Sequence, residues 1–163
     1  MNVTPERVES EAKWVRERAG TVVPLINETR RRLGEVFETD VDAVSEAGYH
    51  EEVATVFAAG DVAVNAAAYV GLLRELDVSD DYPGFVVDEM LGRELAATIA
   101  GGAPLSLLAQ ATFHYADVTT NSAGGAGADD LDAALAAGFQ TRLPGWSWQE
   151  AESPFAVDPA DLE

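Results

Sequence analysis

The sequence predicts an all-α protein: a helical bundle over residues 1–142 with an extended, irregular C-terminal arm over 143–163. Three observations predict it. Apolar residues recur at three- and four-residue spacing through most of the first 115 positions. Hydroxyl or acidic caps and glycine stops punctuate those runs. No alternating apolar pattern is long enough for a strand, although Val118-Thr119-Thr120 reads as briefly extended.

Each element follows in order. Thr4-Pro5-Glu6 opens the first helix with a hydroxyl N-cap, proline at the first position and an acid at the positive dipole end. Val8, Ala12, Val15 and Ala19 give its apolar stripe, and Gly20 reads as its stop. A second helix is expected over about 22–37, because Pro24 fits only a first turn. Its inward stripe reads Val22, Leu25, Ile26, Leu33, Val36 and Phe37, with Arg30-Arg31-Arg32 mostly on the other side. Thr39-Asp40 reads as the cap of a short helix ending near Gly48.

Residues 50–76 are the most apolar part of the chain, with a helical face of Val53, Val56, Phe57, Val64, Ala67, Ala68, Gly71, Leu72 and Leu76. Gly60-Asp61 is expected to split it into two helices, making a central apolar hairpin. A turn at 80–84 precedes a helix over about 85–100 bearing Phe85, Leu91, Leu95 and Ile99. Pro104 opens another helix to about Tyr115 with Leu105, Leu108, Ala111 and Phe113. Residues 117–128 read as a flexible glycine-alanine loop, and Asp129-Asp130 as the start of a short helix to about Ala137. From Gly138 regularity fades, yet the arm carries Trp146, Trp148, Phe155 and Val157. Such aromatics are costly to expose, so the arm docks on its own helices or in a neighbour's groove.

Composition points to brine. Asp and Glu number 29 against ten basic residues, a formal net charge of −19, and Lys13 is the only lysine. At ordinary ionic strength such a surface repels itself, whereas at about 1 M salt the screening length falls to roughly 3 Å. The near absence of lysine among many alanines and valines favours halophily over nucleic-acid mimicry or a high-GC mesophile. The charge is uneven: residues 1–38 hold seven basic and seven acidic residues, and residues 39–163 carry the whole net charge. The neutral N-terminal segment is therefore a candidate contact surface for an acidic partner. The alternative is local pairing at i,i+4 as Arg7–Glu11, Glu9–Lys13, Glu28–Arg32 and Arg31–Glu35.

Signatures of chemistry are missing. The chain has no cysteine, which excludes disulfides and thiolate sites. Asp77 to Asp81 lacks the glycine and glutamate of a calcium loop, and Gly124-Gly125-Ala126-Gly127 lacks the Lys-Ser/Thr of a phosphate loop. No Gly-x-Ser-x-Gly elbow and no cofactor motif is present. The two histidines, His50 and His114, stand near acids and support a metal-dependent enzyme as one alternative. The triple arginine supports a regulatory or nucleic-acid-associated role as another, weakened by flanking Glu28 and Glu35. The residues expected to bind a partner are Arg30, Arg31, Arg32, Trp146, Trp148 and Phe155.

The helical bulk of residues 4–115, the loop at 117–128 and the Trp146-Ser147-Trp148…Pro154-Phe155 arm resemble the plan of small helical head–tail adaptor (connector) proteins of tailed viruses. That resemblance implies a non-enzymatic ring subunit whose neutral surface and arm bind neighbours. The expectation is thus a structural or assembly subunit of a halophilic archaeon or its virus. It would form a homo-oligomer or join other subunits of a large assembly, without membrane, cofactor, metal or small-molecule substrate. Lacking a basic start followed by an apolar run, it is expected in the host cytoplasm or in a virion.

Overall fold

The computed structural model describes residues 2–58, 60–75, 84–120 and 126–146, and of 84–86, 119–120 and 126–129 the backbone alone. Seven helices make up those residues: α1 (Pro5–Glu17), α2 (Ala19–Phe37), α3 (Glu46–Val56), α4 (Gly60–Glu75), α5 (Gly84–Ala100), α6 (Leu105–Thr120) and α7 (Ala126–Arg142). The chain is all-α, as its periodicity predicts. No single described helix is long and apolar enough to cross a membrane.

α7 is the axis. It packs against α2, α3, α4, α5 and α6, while α1 closes the far side over α3 and α4. Every residue from Asp130 to Thr141 is buried, so the helix has no wet face. A helix buried all round shows no amphipathic stripe, and this is why its sequence reads as a short helix that fades at Gly138. Its small residues (Ala133, Ala134, Ala136, Ala137) let neighbours close in, and Gly138 is required: a Cβ there would stand 2.8 Å from Ile99 Cβ and 3.0 Å from the Ala96 carbonyl. Its Leu135 and Phe139 share one core with Val22, Ile26, Leu95, Ile99 and Phe113 of the helices around it. Each large apolar side chain contributes roughly 1.5–3 kcal/mol on full burial.

The caps explain the remaining boundaries and several departures from expectation. The Thr4 hydroxyl accepts from the Arg7 amide at 3.2 Å and starts α1 as expected. Gly20 does not end it: Arg18 serves as both C-cap of α1 and N-cap of α2, so α2 begins at Ala19. Pro24 consequently lies inside α2. The carbonyl it leaves without a donor belongs to Gly20, which is exposed and open to water. The stripe of α2 ends at Leu33; Val36 and Phe37 are exposed, because the chain turns away at Glu38, which adopts a left-handed conformation with φ of 52°.

Thr39-Asp40 caps no helix. The N-cap of α3 is Ser45, whose hydroxyl accepts from the Gly48 amide. The break at Gly60-Asp61 falls where expected, but Val64 and Leu72 of α4 are exposed, as is Ala111 of α6. α6 runs on to Thr120, so Val118-Thr119-Thr120 is helical, and α7 already begins at Ala126. Of the expected turn and loop, residues 80–83 and 121–125 lie outside the described residues, as do Leu76, Trp148 and Phe155. The arm, as far as Trp146, packs on its own bundle: Trp146 is buried and bridges to Val41 in antiparallel fashion.

The packing around α7 gives a paired test. Gly138→Ala should lose about 1–3 kcal/mol through overpacking. Gly20→Ala, at an exposed helical position with nothing within 4 Å of a Cβ, should gain up to about 1 kcal/mol. Denaturant titration of both variants in concentrated KCl measures the difference.

Candidate functional site

Arg30 departs most from its expected place. Instead of facing outward with Arg31 and Arg32 it is 1% exposed, inserted at the C-terminal end of α7. Its Nη1 donates to the carbonyls of Asp42 and Pro144 at 2.8 and 2.6 Å. Its Nη2 donates to those of Gln140 and Leu143 at 2.7 and 2.8 Å. The last carbonyls of a helix have no partner within it and carry the negative end of its dipole, so a buried cation is stabilised there without a carboxylate. Burial holds the Arg30 guanidinium down to about 10, Asp42 pulling the other way, so it stays charged at neutral pH.

The indole of Trp146 lies 5.5 Å from the guanidinium carbon, and its Nε1 donates to the Gln140 carbonyl at 3.3 Å. Gly145, at φ +115°, lets the chain pass: a Cβ there would stand 2.8 Å from Arg30 Nη1. The Asp42 amide donates to the Gly145 carbonyl at 3.0 Å and completes the junction. Arg30 is therefore enclosed by the chain's own C-terminal segment, with Trp146 of that segment buried beside it.

The other N-terminal cations are used in the same way. Arg7 and Arg74 hold the buried Glu11 at 2.9 Å each, and Arg7 reaches Glu75 at 2.7 Å. That contact with Arg7 holds the Glu75 carboxyl below its ordinary value. Arg18 grips Asp132 of α7 with two bonds of 3.2 and 2.6 Å. Arg18 and Arg74 flank the Trp14 ring, 5.5 and 4.6 Å from its centre. Arg31 pairs with Glu28 and Glu35, and Arg32 approaches Glu28 at 3.5 Å. Lys13 pairs with Glu17 rather than Glu9. Local pairing therefore accounts for much of the neutral segment: Arg7–Glu11, Glu28–Arg32 and Arg31–Glu35 form as their i,i+4 spacing predicts, while Arg7 and Arg18 also reach Glu75 and Asp132 in the acidic remainder of the chain.

The unsatisfied surface lies elsewhere. On α6, Leu107, Ala111, His114 and Val118 are exposed in succession, Leu107 at 63% and Val118 at 46%. Their spacing of four, three and four is that of a coiled-coil seam. Along Leu105–Val118 the single carboxylate is Asp117, with no lysine or arginine. Val87 and Met90 of the neighbouring α5 are exposed as well. On a chain of net charge −19 this is a stripe of apolar surface free of like charge. Ala111 belongs to this outward repeat, although its spacing from Leu108 groups it with the apolar stripe of α6.

A second feature is chemical. Asp88 of α5, Asp117 of α6 and Asp130 of α7 meet where the three helices join, Asp130 touching both of the others through its carboxyl. Asp88 is 0% exposed and neither of its oxygens reaches an N–H or hydroxyl donor. Desolvation first, then the contact with Asp130, push Asp117 up to about 7. Desolvation and the contact with Asp88 push Asp130 likewise, against the bond from Asp117. Desolvation also raises Asp88, against its bond with Asp130. Asp88 falls seven and eleven residues before Leu95 and Ile99, on the inward stripe of α5; that register is the one signal that could have singled it out among 29 acids.

His50 lies on α3 and His114 on the outer face of α6, on different helices. Among the described residues no group of three or more His, Asp or Glu is arranged to hold a metal ion. A shallow groove of about 440 Å³ between α1, α3 and α4, lined by Val8, Ala12, Phe57 and Val64, converges no catalytic groups.

Comparison with known proteins adds a family and nothing more. A family described as a domain of unknown function (DUF7984) matches residues 1–159. No curated protein matches, and no solved structure matches.

The junction at the end of α7 makes its own prediction. Arg30→Met strands buried carbonyls and should cost about 3–5 kcal/mol, whereas Arg31→Ala on the surface should cost no more than about 1 kcal/mol. Equal unfolding midpoints for the two variants in concentrated KCl would show that the buried guanidinium holds nothing together.

Proposed function

We propose that this chain, which belongs to the DUF7984 family, is a non-enzymatic assembly subunit that self-associates through the outer face of α6. The observation that carries this reading is the exposed stripe Leu107, Ala111, His114 and Val118, without Asp, Glu, Lys or Arg. Burying such a stripe removes apolar area from water at about 25 cal/mol per Å², and no paired charge has to be desolvated along it.

The partner that fits is a second copy. A two-fold axis makes the same patch serve both sides. Two antiparallel α6 helices would then set Leu107 opposite Val118 of the partner and Ala111 opposite its His114. Elsewhere the two copies carry the same excess of carboxylates, so association requires concentrated salt to screen their repulsion. This fits the habitat that the composition suggests, a halophilic archaeon or a virus growing in one. If the contact is head-to-tail instead of two-fold, the same face builds a ring, as in the tailed-virus adaptors that the chain resembles in plan.

Light scattering at about 2 M and about 0.2 M KCl separates these readings. A dimer at high salt that dissociates on dilution of the salt supports the two-fold join, and a larger closed species the ring. Leu107→Glu with Val118→Glu should yield a monomer at high salt with an unchanged melting temperature. A wild-type monomer at millimolar concentration in high salt, or a double variant that still associates, contradicts the proposal.

A further inference from the structure

We propose that Asp88, Asp117 and Asp130 form a proton-operated brace, which keeps the α5–α6 hairpin seated on α7 while the cluster shares a proton and loosens it when the proton leaves. This goes beyond self-association and does not rest on it.

The geometry carries the argument. The three carboxylates come one from each of three mutually packed helices. Asp88 is 0% and Asp130 3% exposed. Among the described residues no arginine or lysine forms an ion pair with Asp88 or Asp130, since the cations nearby are engaged elsewhere: Arg93 with Glu89, Arg18 with Asp132. A hydrogen bond between two carboxyl groups exists only when one of them holds a proton. With Asp88 and Asp130 buried and paired to no described arginine or lysine, the cluster joins the helices when protonated and repels them when emptied.

The charges acting on it from neighbouring elements are few. Glu89 on α5 raises the proton affinity of Asp117 and Asp130, and His114 on α6 lowers that of Asp117. α4 packs on α5 and α7, but its Arg74 and Glu75 are turned to α1, leaving Asp61 in its first turn. α2 packs on α6 and α7, with Arg30 at the far end of α7 and Glu28, Arg31, Arg32 and Glu35 paired among themselves.

The sign follows from linkage. Below the ordinary aspartate range near pH 4, folded and unfolded chains are both protonated and the stability is complete. Between about 4 and about 7 the folded chain holds protons that the unfolded chain has released, so stability falls as pH rises. Above that window the loss is complete and constant.

The test follows the carboxyl carbons of aspartate by NMR in the wild-type protein, in concentrated KCl, over pH 4 to 9. Cluster carbons titrating near or above about pH 6, while surface aspartates finish below about pH 5, support the brace; all carbons finishing below pH 5 overturn it. Melting temperatures over the same range give an independent arm. Wild type should lose several degrees between about pH 5 and 8, and Asp88→Asn or Asp130→Asn should flatten that slope and melt higher than wild type at pH 8. Parallel slopes for wild type and variants overturn the proposal. So does a wild-type melting temperature at pH 8 that calcium chloride raises and the variants lose, since the cluster would then be a cation site.

Discussion

One buried guanidinium sets the terms for the rest of the fold. α7 runs through the middle of the bundle with no wet face from Asp130 to Thr141, so the Gln140 carbonyl near its end has no water to turn to. Arg30 supplies four donors in one rigid fork to the carbonyls of Gln140, Leu143, Pro144 and Asp42. A lysine could not reach that many acceptors in one plane. The same contact ties α2 to α7 and to the segment after it, bringing together residues more than 100 positions apart in sequence. With α7 fixed, α5 and α6 lay their inner faces on it, and the outer face of α6 is what remains.

The distribution of charge takes a different meaning in this light. A neutral N-terminal segment in so acidic a chain invites the idea of an external acidic partner. Within the chain its cations meet acids of the segment itself, together with Glu75, Asp132 and the negative end of α7. Cations are scarce, and most that the structure describes bind another part of the chain or a nearby acid. Surface that must avoid like charge therefore cannot be found by looking for arginines. It shows as a lack of any charge, and α6 carries such a stretch from Leu105 to Ala116.

The fold class was legible because every helix but α7 has a wet and a dry side among its described residues. The Thr4 cap, the break at Gly60 and the stripe of Leu95 and Ile99 read correctly from spacing alone. α7 was illegible for a physical reason, since a helix surrounded by protein loses the periodicity that reveals helices. Arg30 was misplaced because arginine is seldom buried, and nothing in Arg30-Arg31-Arg32 says that the first is enclosed by a segment 110 residues later. Asp88 and Asp130 were invisible among 29 acids, although Asp88 sits in register with Leu95 and Ile99. Trp146 was read correctly as an aromatic that must be buried, and the structure seats it beside Arg30.

What the account depends on functionally is that the uncharged face of α6 is covered by a second copy. Hydrogen exchange at two protein concentrations in concentrated KCl tests this most directly, because it reads the face itself and leaves the sequence unaltered. Amides of Leu105–Val118 should exchange more slowly as concentration rises, while those of α1 keep the same rates. Concentration-independent exchange along α6, or slowing confined to α1 and α4, would contradict it.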